Sequence, residues 1–137
     1  MKMNSPSVML AGLILFSLGL TTGLFAGSGD SDQRQQKHRS DLSGAPGMEV
    51  IASIAEYLPG DRLGQHFHHG IEAAYVVQGA SLQNAQGQVI QLPDGASVLN
   101  LREVEHGGFE VLGNRSLKLF TVHIVDKDKP IYQFSGN

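Results

Sequence analysis

The chain contains no cysteine and no tryptophan among its 137 residues. The lack of cysteine excludes disulfides, thiolate metal ligands, a cysteine nucleophile and a lipid anchor attached to cysteine. Basic residues are also scarce. The chain has ten Lys and Arg and thirteen Asp and Glu, which gives a net charge of −3. Such a chain, with no basic face, has no general attraction for nucleic acid. Any binding function must therefore depend on a specific site.

The sequence also lacks any stretch with the 3.6-residue periodicity of a long helix. From residue 49 onward, short β-prone runs alternate with turns rich in Gly, Pro and Asp. Turns that recur roughly every eight to twelve residues are typical of an all-β sandwich or barrel. With 137 residues there is room for one domain. We therefore predict a single all-β domain of about eight short strands.

The first 28 residues differ from the rest of the chain in being almost uncharged. Lys2 is followed by the apolar run "VMLAGLILFSLGL" and then by the small residues Ala26-Gly27-Ser28, which is the pattern of a cleaved signal peptide. The alternative is an uncleaved membrane anchor, since residues 3–29 carry no charge and are long enough to span a bilayer. The short apolar run favours cleavage. Either reading predicts a protein outside the cytoplasm, periplasmic or secreted.

Composition divides the remainder into three parts. Residues 29–48 are polar and predict a linker whose last part lies along the sheet. Residues 49–131 carry the β-prone runs and predict the folded domain. Residues 132–137 are left as a C-terminal tail.

The stretch "QHFHHGIE" concentrates groups that bind metal ions. His66 and His68 are two residues apart, so in a strand their side chains point to the same face, whereas His69 points away. A turn after His68 would bring Glu72 beside the two imidazoles. Two ring nitrogens and a carboxylate suit a divalent first-row metal. A fourth ligand must come from elsewhere, and either His106 or His123 can supply it.

The spacing of this stretch resembles a known motif. The run Gly60-x5-His66-x-His68-x3-Glu72-x6-Gly79 matches the first motif of the cupin superfamily at every defined position.

The second cupin motif, Gly-x5-Pro-x-Gly-x2-His-x3-Asn, is matched incompletely and in two alternative registers. A register that starts at Gly87 keeps Pro93 but places Val98 at the histidine position. A register that starts at Gly95 places His106 at the histidine position and Glu110 at the asparagine position. We prefer the second register, because it keeps a residue that can bind a metal.

The resemblance implies a fold and a ligand set. The fold is a single-domain cupin, that is, a double-stranded β-helix or jelly-roll barrel. The cofactor is one divalent metal (Mn, Fe, Ni or Zn) with open positions for water or substrate. Four residues carry over as its ligands: His66, His68, Glu72 and His106. Three more are possible contacts for a substrate in the barrel: Tyr75, Glu110 and His123.

The resemblance leaves the reaction open, because fold and metal do not define one. The first hypothesis is a metal-dependent oxygenase, isomerase or lyase that acts on a small organic substrate. The second is a non-catalytic module that binds or senses a metal or small ligand, and the third is a metal-free cupin. Cupins commonly form dimers, so a homodimer through residues 42–56 is also expected.

Overall fold

A computed structural model describes residues 29–135 of the chain. These residues form ten β-strands and no helix, so none of their segments is a helix that could span a membrane. The all-β prediction is confirmed. The predicted signal peptide, residues 1–28, lies outside the described residues.

The strands follow one another with short connections. In chain order they are β1 (Gln35–Asp41), β2 (Met48–Tyr57), β3 (Arg62–Phe67), β4 (Gly70–Gln78), β5 (Ala80–Asn84), β6 (Val89–Leu92), β7 (Ser97–Asn100), β8 (His106–Leu112), β9 (Leu117–Asp126) and β10 (Gln133–Phe134). One five-stranded sheet has the order β1-β2-β9-β4-β7, and the other has the order β10-β3-β8-β5-β6. All pairings are antiparallel.

Regular structure extends beyond residues 49–131 on both sides. Strand β1 lies in the segment predicted to be a polar linker, and β10 lies in the predicted tail. All seven residues of β1 are exposed, so the strand has no apolar alternation that the sequence could reveal. It forms because its backbone pairs with the edge of β2 and because Arg39 binds Glu49 through two hydrogen bonds of 2.7 and 2.6 Å.

The interior between the sheets has an apolar end and a polar end. At the apolar end Tyr57, Val76 and Leu117 are at most 1% exposed and pack in one cluster, where each large side chain contributes roughly 1.5–3 kcal/mol through burial. Strands β4 and β9 then continue into the polar end, where Glu72 and His123 face the same interior. The apolar cluster thus anchors the strands that carry the polar residues.

Candidate metal centre

The β3–β4 hairpin places three of the predicted ligands in the polar end. His66 is on β3, His68 follows that strand directly, and Glu72 is on β4. Their exposed fractions are 1%, 0% and 6%. His69 points the other way, with its ring against Phe67 and its Nδ1 3.8 Å from Glu103 Oε1. The two-residue alternation inferred from the sequence therefore describes this hairpin.

His106 reaches the same place from the neighbouring strand. It begins β8 and is paired in register with His66. Its Nε2 lies 3.0 Å from Nε2 of His68 and 3.6 Å from Oε2 of Glu72. The structure therefore brings the four predicted ligands into one cluster, and His123 lies in it as well.

The orientation of three imidazoles is fixed by backbone carbonyls. Nδ1 of His66 lies 2.8 Å from the Gly64 oxygen, Nδ1 of His68 lies 2.5 Å from that of Ile131, and Nδ1 of His106 lies 2.9 Å from that of Val104. A carbonyl oxygen only accepts, so each neutral ring carries its proton on Nδ1 and donates it there. The Nε2 lone pairs consequently face the cluster, as in metal-binding histidines.

These residues fit a metal ion by two further criteria. Nε2 of His68 lies 3.0 Å from Nε2 of His106 and 3.3 Å from Oε2 of Glu72. Nε2 of His106 lies 3.6 Å from the same oxygen. Ligand atoms about 2.1 Å from one ion stand roughly 3.0–3.4 Å from one another, and two of these three separations lie in that range. In addition, Nε2 of His66 is buried without a hydrogen-bond partner, and two lone pairs that face each other at 3.0 Å repel unless a cation or proton lies between them. These His and Glu groups can therefore bind a metal ion.

Two of these residues, His66 and Glu72, have the charge states that ligation requires. Burial lowers the pKa of His66 to about 4, because a cationic ring would be desolvated. Burial by itself would raise the pKa of Glu72, but contacts with His106, His123 and His68 outweigh it and hold that pKa far below its usual range. Near neutral pH His66 is therefore a neutral donor and Glu72 is a carboxylate.

Glu72 is flanked on both sides by polar residues of its own sheet. Asn100 of β7 and His123 of β9 are both paired with it in register. Asn100 donates a 2.7 Å hydrogen bond to Oε2, and Nε2 of His123 lies 3.3 Å from Oε1. Asn100 could not be predicted from the sequence, because only the strand register reveals it.

Two of the three predicted substrate contacts lie away from the cluster. Tyr75 is on the outer face of β4 and is 51% exposed, as its odd spacing from Glu72 requires. Glu110 binds Arg62 through a hydrogen bond of 2.8 Å on the outside of the other sheet. A ligand at the cluster would meet neither of them. His123 does lie in the cluster, although it is fully buried.

The position of Glu110 has a backbone cause. Gly107 and Gly108 have φ values of +78° and +72°, which residues with a side chain rarely adopt. They change the alternation of β8. His106 and Val111 are five positions apart, which in a regular strand would put them on opposite faces, yet both face the interior. The spacing of four between His106 and Glu110 thus does not place them on one face.

Tyr132 is a second residue that sequence reasoning missed. Its ring centroid lies 4.5 Å from that of His66, 5.1 Å from that of His68 and 5.8 Å from that of His123. Arg34 donates a hydrogen bond to its hydroxyl and also lies over its ring, 5.2 Å from the centroid. Tyr132 therefore forms a wall of the cluster.

Arg34 is itself held by other groups. It binds both carboxylate oxygens of Asp30, at 2.5 and 3.0 Å, and donates to Thr121 Oγ1 at 3.1 Å. It comes from the predicted linker, where one Asp and one Arg among several charged residues of a polar run gave no signal. Its charge is matched by Asp30, so it supports Tyr132 and is not an open anion site.

Comparison with known proteins gives structural relatives only. No protein-family model matches this sequence, and no curated protein sequence matches it either. A Klebsiella pneumoniae protein with a double-stranded β-helix domain is 14% identical, with a TM-score of 0.54 over 76% of this chain and 84% of that one. A cupin-like protein from Thermotoga maritima is 18% identical, with a TM-score of 0.51 over 76% of this chain and 75% of that one.

A protein with an enzymatic name has the same architecture. The polyketide cyclase RemF from Streptomyces resistomycificus is 17% identical, with a TM-score of 0.50 over 79% of this chain and 76% of that one. Identities this low compare architecture and not activity. Together with the two antiparallel sheets, these likenesses establish that the chain has the double-stranded β-helix fold of cupins.

Proposed function

We propose that this protein binds one divalent first-row metal and uses it as an enzyme acting on a small organic substrate. The observation that carries the proposal is two overlapping groups of possible ligand atoms inside the barrel, which share His68: His66, His68 and His106 in one, and His68, Glu72 and His123 in the other. The ligands are those predicted from the sequence: His66, His68, Glu72 and His106. Three imidazoles with one carboxylate are compatible with Mn, Fe, Ni or Zn.

When bound, the metal supplies a Lewis acid or an O2-binding centre, which serves oxygenase, isomerase or lyase chemistry. The chain controls access to it. The side chain of His106 is 17% exposed, whereas those of His66 and His68 are buried. A substrate therefore approaches past His106, next to the exposed residues 101–105, which include both apolar and charged side chains.

We also propose that the protein works in the periplasm or is secreted. The support for this location is the apolar leader in residues 1–28, which has the pattern of a signal peptide.

Metal content is the first test of the proposed function. We expect protein purified from its own compartment to contain about one equivalent of a divalent metal by elemental analysis, as a single buried cluster requires. The variants His66→Ala and His106→Ala should lose it, because each removes a ligand. His69→Ala is the matched control, since this neighbouring ring faces away, and it should keep the metal.

Two results would contradict the proposal. Wild-type protein without metal, even after incubation with Mn, Fe, Ni and Zn salts, would show that the cluster is not a metal site. Metal retained by both His66→Ala and His106→Ala would show that it binds elsewhere. Catalysis is tested separately, and a loaded protein that small organic ligands stabilise without turnover would be a binding module instead.

A further inference from the structure

The two oxygens of Glu72 have different surroundings. Oε2 lies 3.3 Å from Nε2 of His68 and 3.6 Å from Nε2 of His106, and it accepts the hydrogen bond from Asn100. Oε1 lies 3.3 Å from Nε2 of His123. Oε2 therefore faces His68, His106 and Asn100, and Oε1 faces His123.

His123 shares its group of possible metal-binding atoms with His68 and Glu72, whereas His66 and His106 form the other group with His68. Its side chain is fully buried, so it is not at the mouth where a substrate would arrive.

The tautomer of His123 follows from its surroundings. Unlike the other three rings, it has no backbone carbonyl at Nδ1, and neither of its nitrogens has an aligned hydrogen bond. If the proton were on Nδ1, a buried donor would have no acceptor and an Nε2 lone pair would face a carboxylate oxygen. If the proton is on Nε2, the donor faces that oxygen and only a lone pair is unmatched. A buried donor without an acceptor, together with a repulsive contact, costs more free energy than an unmatched lone pair. The tautomer with the proton on Nε2 is therefore favoured.

We infer that His123 is a positioning residue of the metal centre: its Nε2–H faces Oε1 of Glu72 at 3.3 Å and would hold that carboxylate in place beside the residues that would bind the ion. The inference rests on the proposed function, and it assigns His123 neither to the ligands nor to the substrate contacts. Strand register supports it, because Glu72 and His123 are direct partners on β4 and β9. Asn100 holds the carboxylate from the other neighbouring strand.

Three variants separate positioning from ligation. His123→Leu removes the donor at similar volume, His123→Gln keeps an amide donor, and His69→Leu is the control on a ring outside the cluster. We expect His123→Leu to weaken Zn²⁺ binding by about 10- to 100-fold, as losses of outer partners do. His123→Gln should recover most of that loss, and His69→Leu should bind like wild type. Circular dichroism of the metal-free proteins verifies folding.

Spectroscopy then counts the ligands. Electron spin echo envelope modulation of bound Cu²⁺ should report three imidazoles in wild type and still three in His123→Leu. If wild type showed four imidazoles and His123→Leu showed three, His123 would be a ligand and the inference would be overturned. Wild-type affinity in His123→Leu would overturn it as well.

A measurement without metal distinguishes failure of this inference from failure of the proposed function. Imidazole ¹⁵N shifts of the metal-free protein should show the proton of His123 on Nε2 and those of His66, His68 and His106 on Nδ1. A proton on Nδ1 of His123 would overturn the inference even if the metal binds. Absence of metal binding with the expected tautomers would refute the proposed function, and only the contact between His123 and Glu72 would stand.

Discussion

Replacing His68 with alanine is expected to reduce metal affinity by more than about 100-fold, because losing an outer partner alone costs roughly 10- to 100-fold. His68 is the residue that the two groups of metal-binding atoms share. Its Nε2 lies 3.0 Å from that of His106 and 3.3 Å from Oε2 of Glu72. Removing it therefore separates the remaining ligands. Isothermal titration of metal-free protein with Zn²⁺ measures the loss.

The control for this prediction is the adjacent histidine. His69→Ala changes the same residue type one position along the chain, but that ring contacts Phe67 and Glu103 outside the cluster. It should bind Zn²⁺ with wild-type affinity. Equal losses in the two variants would mean that the region responds to any truncation, and equal retention would exclude His68 from the site.

Replacing Gly107 with alanine is expected to damage the centre without removing a ligand. A Cβ there would lie 2.8 Å from Cε1 and 2.9 Å from Nδ1 of the His66 ring, so the ring must move off the Gly64 carbonyl that orients it. The positive φ adds about 1–2 kcal/mol of strain, and the overlap adds a further 1–3 kcal/mol, roughly. We expect Zn²⁺ affinity to fall at least about tenfold, the scale of losing an orienting contact.

Gly113→Ala separates the clash from the backbone strain. Gly113 has the same φ of +78°, yet a Cβ there meets nothing within 4 Å. In urea unfolding, Gly113→Ala should lower the free energy of unfolding by the strain energy alone. Its metal affinity should equal that of wild type. If Gly107→Ala matched it in both stability and affinity, the contact between β8 and the His66 ring would not matter to the site.

The sequence predicted the parts of the site that depend on local geometry. The alternation of a strand placed His66 and His68 together and His69 apart, and a short turn brought Glu72 beside them. These relations hold in the structure, because they need only the residues of one hairpin. The placement of His106 required the resemblance to a motif, since 38 residues separate it from its neighbour His68.

What the sequence missed depends on register and on distant chain segments. Glu110 was predicted as a possible substrate contact, but two consecutive glycines with positive φ change the alternation of β8 and place it on the outside. Asn100 is recognisable only once β7 is aligned with β4, and the pairing of His123 with Glu72 only once β9 is aligned with β4. Tyr132 came from a segment predicted to be a tail, because a single aromatic residue beside a two-residue strand has no periodicity.

The most direct test of the metal centre is anomalous diffraction from crystals of the loaded protein, collected at the absorption edge of the bound metal. We predict one strong peak about 2.0–2.3 Å from Nε2 of His66, His68 and His106 and from Oε2 of Glu72, the usual range for nitrogen and oxygen ligands. No peak among these four atoms, or a peak held by other residues, would contradict the account.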